Sequence, residues 1–123
     1  MLKIRRTIAD VYGERLSQVA GIEPPTEAGD REHTWQAYVV ALDEGISRGR
    51  VARALRSAGI EVGIGTFASH LQPVYGEARS CPTSADLFRR QLAIPMHANM
   101  TESQAEQVAS SLATVVEQER RDA

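Results

Sequence analysis

Lysine is almost absent from this chain: Lys3 is the only one, and thirteen arginines carry the rest of the positive charge. Chemistry that needs a primary amine, Schiff-base formation above all, therefore has a single candidate, near a terminus where chains commonly fray. Cysteine is equally scarce. Cys81 stands alone, so no internal disulfide can form, which agrees with a reducing compartment. With no histidine or lysine near it in sequence to lower its pKa, it reads as a buried, inert thiol. No apolar run approaches the roughly 20 residues that cross a bilayer, which excludes a transmembrane span. The first residues, Met-Leu-Lys-Ile-Arg-Arg-Thr-Ile, have neither the continuous apolar stretch nor the cleavage site of a secretory signal. A cytoplasmic location is the expectation. A formal net charge of −2 gives no electrostatic case for nucleic acid, whose partners carry a basic face.

What remains is the composition of a soluble globular protein, 42% hydrophobic and 24% charged over 123 residues, enough for one modest core. From Leu2 to about Ala20, Ile4, Ile8, Val11, Tyr12, Leu16 and Val19 follow the three-and-four spacing of one helix face, with Gly21 as a C-terminal cap. A polar, proline-containing stretch follows and reads as an exposed linker. Thr34 to Leu42, rich in β-branched and aromatic residues, predicts a strand in which Trp35 and Tyr38 belong to the core. Ser47 caps a helix to about Ala58 with Val51, Ala54, Leu55 and Ala58 inward and Gly59 at its end. That leaves Arg48, Arg50, Arg53 and Arg56 mostly outward, where such charges usually serve solvation, although an anion-binding stripe is the alternative. Ile60 to Ile64 predicts a short second strand. Gly65 to Thr83 shows no sustained period, and Ser84 can cap a short helix carrying Leu87 and Phe88. Leu92 to Met96 is a third apolar segment, in which Pro95 marks an edge or a strand end. Thr101 and Gln104 stand in capping-box spacing before a helix that carries Ala105, Val108, Ala109, Leu112, Val115 and Val116 to about Gln118.

This order predicts an α+β fold, a small sheet covered by helices, with strand directions left open. The first helix protrudes behind its linker and leaves part of the Ile4, Ile8, Val11 and Val19 stripe exposed. The expected units are a linking helix over 1–22, a linker over 23–33 and the domain proper over 34–123.

His33, His70, His97 and Cys81 are too widely spaced for a zinc pattern, so no metal site is expected. The glycines of Gly59-Ile60-Glu61-Val62-Gly63-Ile64-Gly65 follow a helix and run along a strand, the reverse of a dinucleotide fingerprint. Gly63 and Gly65 instead suit a close backbone approach or a bend. Ser69 and His70 are adjacent, and side chains one apart on an extended chain face opposite ways, which makes a nucleophile and base pair between them a poor one. His70, on the long loop after a bendable strand end, is the best polar candidate. A histidine that binds backbone and merely orders the loop carries equal weight.

The stretch Gly59-Ile60-Glu61-Val62-Gly63-Ile64-Gly65-Thr66-Phe67-Ala68-Ser69-His70-Leu71-Gln72-Pro73-Val74-Tyr75 closely resembles the C-terminal region of the DegT/DnrJ/EryC1/StrS aminotransferases. His33 to Leu42 upstream, and Cys81-Pro82, Leu92-Ala93-Ile94-Pro95-Met96-His97 and Met100-Thr101-Glu102 downstream, extend the likeness from about Arg5 to Val116. The resemblance implies the C-terminal small domain of a fold-type I aminotransferase that uses pyridoxal phosphate to transfer an amino group to a keto nucleotide-sugar. It implies as partner a large domain or homologous subunit that holds the cofactor aspartate, the stacking ring and the Schiff-base lysine. None of these maps onto this sequence, and Lys3 does not match the lysine motif. No catalytic or cofactor-binding residue is therefore expected here, no cofactor for this chain alone, and inactivity in isolation. Thr66 and His70 remain as substrate-orienting residues. The alternative is a non-catalytic module that keeps this fold to bind or regulate a partner.

Overall fold

A computed structural model describes residues 1–75 and 80–122. Among these residues four α-helices, α1 (Leu2–Leu16), α2 (Arg48–Ser57), α3 (Pro82–Arg90) and α4 (Glu102–Asp122), accompany four strands, β1 (Ile22–Glu23), β2 (Tyr38–Leu42), β3 (Gly63–Ile64) and β4 (Gln91–Ile94). The sheet runs β1-β2-β4-β3 and is antiparallel throughout. The α+β expectation holds, and the direction of the strands, open in the sequence, is settled.

The alternation of β2 drives Tyr38, Val40 and Leu42 to one face, and Leu92 and Ile94 of β4 join them there. Helices α1, α2 and α4 cover this face with Ile8, Tyr12 and Leu16, with Val51 and Leu55, and with Ala105, Ala109, Leu112 and Val116. Inside that layer Tyr12 and Tyr38 meet with ring centroids 4.9 Å apart. The Tyr12 hydroxyl donates to the carbonyl of Pro95 at 2.6 Å, so this buried phenol is satisfied at the end of β4. Pro95 thus closes β4, and because β4 lies between β2 and β3 it marks a strand end in the middle of the sheet and no edge.

The first helix is a core element along most of its length. Ile8 is 1% exposed, while Ile4 is 42% exposed and Val11 and Val19 are half-buried. The protrusion is confined to the first turn, where Met1 and Leu2 are also exposed. Regular helix stops at Leu16, before Ala20, and Gly21 adopts φ +92 at the entry to β1. A side chain at Gly21 would meet Ile46 Cδ1 at 2.8 Å, so glycine is required there by space as well as by conformation. Ile22–Glu23 pairs with Leu42 and Ala41, a strand that the linker reading missed.

Strand β2 begins only at Tyr38, four residues later than Thr34. Trp35 has φ +52, a left-handed conformation that a pleated strand cannot contain. The bend is held from outside: Arg5 donates to the carbonyls of Trp35 and Gln36 at 3.0 Å each, and His33 Nδ1 accepts the Trp35 amide at 2.8 Å. The neighbouring linker is drawn to α1 by Arg6, which lies 3.6 Å from Glu27 and 3.1 Å from Glu32.

Local signals elsewhere act as the sequence predicts. Ser47 accepts the Arg50 amide at 3.3 Å, and Gly59 has φ +84 after α2. Thr101 and Gln104 form the reciprocal capping box at 3.0 and 3.1 Å. Helix α4 runs on to Asp122, one turn beyond the expected Gln118. On α2 the inward face is Val51, Ala52 and Leu55; Ala54 is half-buried and Ala58 exposed, because the helix ends before Ala58 can return to that face. Helix α3 starts at Pro82, the first-turn position proline favours, so Ser84 lies inside the helix and does not cap it. The second strand shrinks to Gly63–Ile64.

Burial keeps both core tyrosines neutral. It pushes Tyr38 up from 10.0 to about 12, and Tyr12 further, through burial first and its neighbour Tyr38 second. Above the ordinary tyrosine pKa of about 10 the unfolded chain releases protons that the folded chain retains, so stability falls as pH rises from there. Urea midpoints should hold steady up to that pH and decline progressively between 10 and 12, and Tyr38→Phe should flatten the decline; identical slopes in the two proteins would refute the account.

Candidate functional site

Beyond β3 the chain turns at Gly65, where an added Cβ would lie 2.5 Å from Gln91 Cβ and 2.6 Å from Val39 Cγ1. This is the close approach expected of the glycine; at Gly63 the nearest atom is Ala93 Cβ at 4.0 Å, an ordinary contact. Ala68 is buried and anchors a short 3₁₀ turn, Ser69–Leu71, through the Leu71 amide at 3.0 Å. A second turn, Pro73–Tyr75, follows. Residues 76–79 of the long loop lie outside the described part.

The turn presents His70 to a cleft of about 440 Å³ that Leu71, Ser80, Pro82, Ala85 and Arg89 also line, with Cys81 at its rim. His70 is half-buried, and its Nδ1 is enclosed with no hydrogen-bond partner among the described residues. The other two histidines behave differently. His33 stacks on Trp35 at 4.0 Å and accepts its amide, and His97 Nδ1 accepts the Asn99 amide at 3.3 Å. Those two order local backbone, whereas the His70 ring makes no hydrogen bond among the described residues.

Thr66 is half-buried, donates to its neighbour Phe67 O at 3.3 Å and does not line this cleft. The structure brings His70 to Arg89 and Cys81, and it leaves Thr66 apart. Arg89 escaped the sequence reading, although Pro82, Ala85 and Arg89 share the three-and-four spacing that puts them on one face of α3. Cys81 is exposed, against the expectation of a buried thiol, because it precedes α3 at the surface. Phe67 is also exposed, with its ring 6.4 Å from Phe88. The arginines of α2 are less idle than solvation implies. Arg48 donates to the Phe88 carbonyl and sits 5.0 Å over the Phe88 ring, and Arg56 donates to Val62 O at 3.0 Å. Trp35 and Tyr38 are core, as expected.

Among the described residues no three histidine, cysteine, aspartate or glutamate side chains gather as a metal site. Lys3 is exposed in the first turn of α1 and lines neither the His70 cleft nor any other concavity described for the chain.

Residues 1–113 match the DegT/DnrJ/EryC1/StrS aminotransferase family. The chain belongs to this family. Its fold recurs in solved structures that carry related names. The aminotransferase TlmJ from Streptoalloteichus hindustanus is 25% identical, with a TM-score of 0.87 over 95% of this chain and 32% of that one. PseC from Helicobacter pylori, an aminotransferase involved in the biosynthesis of pseudoaminic acid, is 14% identical, with a TM-score of 0.88 over 95% of this chain and 33% of that one. DesI, solved in the presence of its TDP-sugar product, is 21% identical, with a TM-score of 0.86 over 98% of this chain and 32% of that one. This member of the DegT/DnrJ/EryC1/StrS family thus spans about a third of the length of these solved relatives.

The crowding at Gly65 gives a direct check on how the loop is aimed. Gly65→Ala should lower stability by about 1–3 kcal/mol, as overpacking does, while Gly63→Ala should stay within about 0.5 kcal/mol. Thermal melts of the two variants beside the parent decide it, and equal melting temperatures would remove the close approach.

Proposed function

We propose that this chain acts as the small domain of a pyridoxal-phosphate-dependent aminotransferase whose substrate is a keto nucleotide-sugar. The observation that carries the reading is the match of one family over residues 1–113, together with superposition of nearly the whole chain on a third of an aminotransferase. A large domain or homologous subunit supplies the lysine, and the cofactor there acts as the electron sink for amino transfer. In this arrangement 1–22 leads in from that large domain, 23–33 is the connection and 34–123 is the small domain, with α1 docked on it through Ile8, Tyr12 and Leu16.

The part played by this chain's own residues is orientation and exclusion of water. The loop from Gly65 to Pro73 forms one wall of the substrate pocket, and His70 offers the enclosed Nδ1 to a polar group of the sugar nucleotide. Thr66 contributes from the same wall. An apolar rim of Phe67 and Leu71, both exposed in this chain, would be covered when the pocket is complete. No helix among the described residues is long and apolar enough to cross a membrane, and we assign the protein to the cytoplasm.

Two measurements test the reading. Titrating the isolated chain with pyridoxal phosphate at micromolar concentration should give no visible aldimine band; a saturable band abolished by Lys3→Ala would overturn the division of labour. In an enzyme that joins this chain to a large domain, His70→Ala should lower kcat/KM by more than about tenfold, about 1.4 kcal/mol of transition-state stabilisation. The thermal melt of that variant must be compared with the parent, and undiminished efficiency in a folded variant would take His70 out of the site.

A further inference from the structure

Several arginines of this chain are neutralised where they stand: Arg6 by Glu27 and Glu32, Arg15 by Glu106, Arg50 by Glu119 and Arg90 by Asp86. Three on one flank of α2 are different. Arg48, Arg53 and Arg56 line a cleft of about 330 Å³ between α2 and the edge strand β3, beside Gly63 and Ile64. No acidic residue lines it, and none of the three is ion-paired among the described residues. Arg48 and Arg53 are five positions apart and Arg53 and Arg56 three, which spreads them over less than half a turn of the helix and lets all three border the same cleft. In a chain of net charge −2, this is a local concentration of uncompensated positive charge against a low-dielectric wall, the arrangement that focuses an attractive field on anions.

Two of the three groups are also held in place. Arg48 is fixed by the carbonyls of Phe88 and Gln91 and by the Phe88 ring, and Arg56 by the carbonyl of Val62. A guanidinium has five N–H donors, and these bonds run through one terminal nitrogen of each side chain, leaving donors for a ligand. Side chains already ordered lose less rotamer freedom on binding than solvated ones. The third, Arg53, is exposed, and its guanidinium has no hydrogen-bond or ion-pair partner among the described residues, so it can close over what the other two receive. A lone carboxylate engages one guanidinium fork. A row of three suits a ligand with several charged oxygens along its length.

We propose that this cleft binds a polyvalent phosphate through its diphosphate group, whether free or carried on a nucleoside. It shares no lining residue with the His70 cleft and does not depend on the aminotransferase reading.

Calorimetric titration of the full chain with inorganic pyrophosphate tests it. The expected result is a one-to-one isotherm with a Kd on the order of 0.1–1 mM at low ionic strength, weakening as salt is added. Arg53→Glu should weaken binding by more than about tenfold, and Arg53→Gln should move it in the same direction. Arg121→Gln, on the exposed end of α4, should change nothing. Uridine and adenosine diphosphates discriminate the source: affinity equal to pyrophosphate identifies the free group, and tighter binding identifies a nucleoside-borne one. Absence of saturation in the millimolar range, indifference to both Arg53 variants, an equal loss in Arg121→Gln, or equal affinity for citrate would each overturn the proposal.

Discussion

The hydroxyl of Tyr12 reaching the Pro95 carbonyl fixes the relation between the first helix and the central strand. A phenol buried at this depth without an acceptor costs on the order of 1–3 kcal/mol, so the ring can sit under the sheet only if β4 ends where it does. That in turn requires Pro95 to terminate the strand with its carbonyl facing α1. Tyr38 then packs on Tyr12, Trp35 on Tyr38 and His33 on Trp35, and the column carries order from the core to the linker. The helix is thereby packed into the core, although its first turn leaves Met1, Leu2 and Ile4 uncovered.

Arginine has a second use here that charge counting overlooks. Arg5, Arg48, Arg56 and Arg90 each donate to backbone carbonyls outside their own helix. Irregular segments in a small domain leave carbonyls that neither helix nor sheet can satisfy. A long, permanently charged side chain with several donors supplies the missing bonds without burying a compact ammonium. The bends at Trp35 and Gln36, the end of α3 and the approach to β3 are all held in this way.

The features legible in the sequence are those decided within a few residues: the capping box of Thr101 and Gln104, the Ser47 cap, the alternation of Tyr38, Val40 and Leu42, and the periodicity of α4. The unread ones are set at a distance. Trp35 is left-handed with its carbonyl held by Arg5, thirty positions away, a contact that the residues from His33 to Leu42 do not announce. Strand β1 is two residues long and exists only because Leu42 and Ala41 are there to pair with it. For the candidate site, local reasoning singled out His70 but could not see that Arg89, on a later helix, would share its cleft while nearby Thr66 would not. Resemblance supplied the context that periodicity could not, since the loop from Gly65 onward has no period of its own.

The pairing of β2 with β4 has a kinetic side. Tyr38 opposes Ile94, so the central ladder forms only after nearly half the chain has been brought into a closed loop. Helix α1 waits longer, because its cover is α4, and Arg15 meets Glu106 across 91 positions. Contacts so far apart in sequence must meet the entropy of loop closure before they return any stabilisation, which slows folding relative to helical bundles of the same size. During synthesis, then, the apolar face of β2 can meet α1 and α2 but lacks the rest of its cover until the ribosome has released the segment from β4 through most of α4. In that interval its hydrophobic stripe is open to chaperones or to other nascent chains.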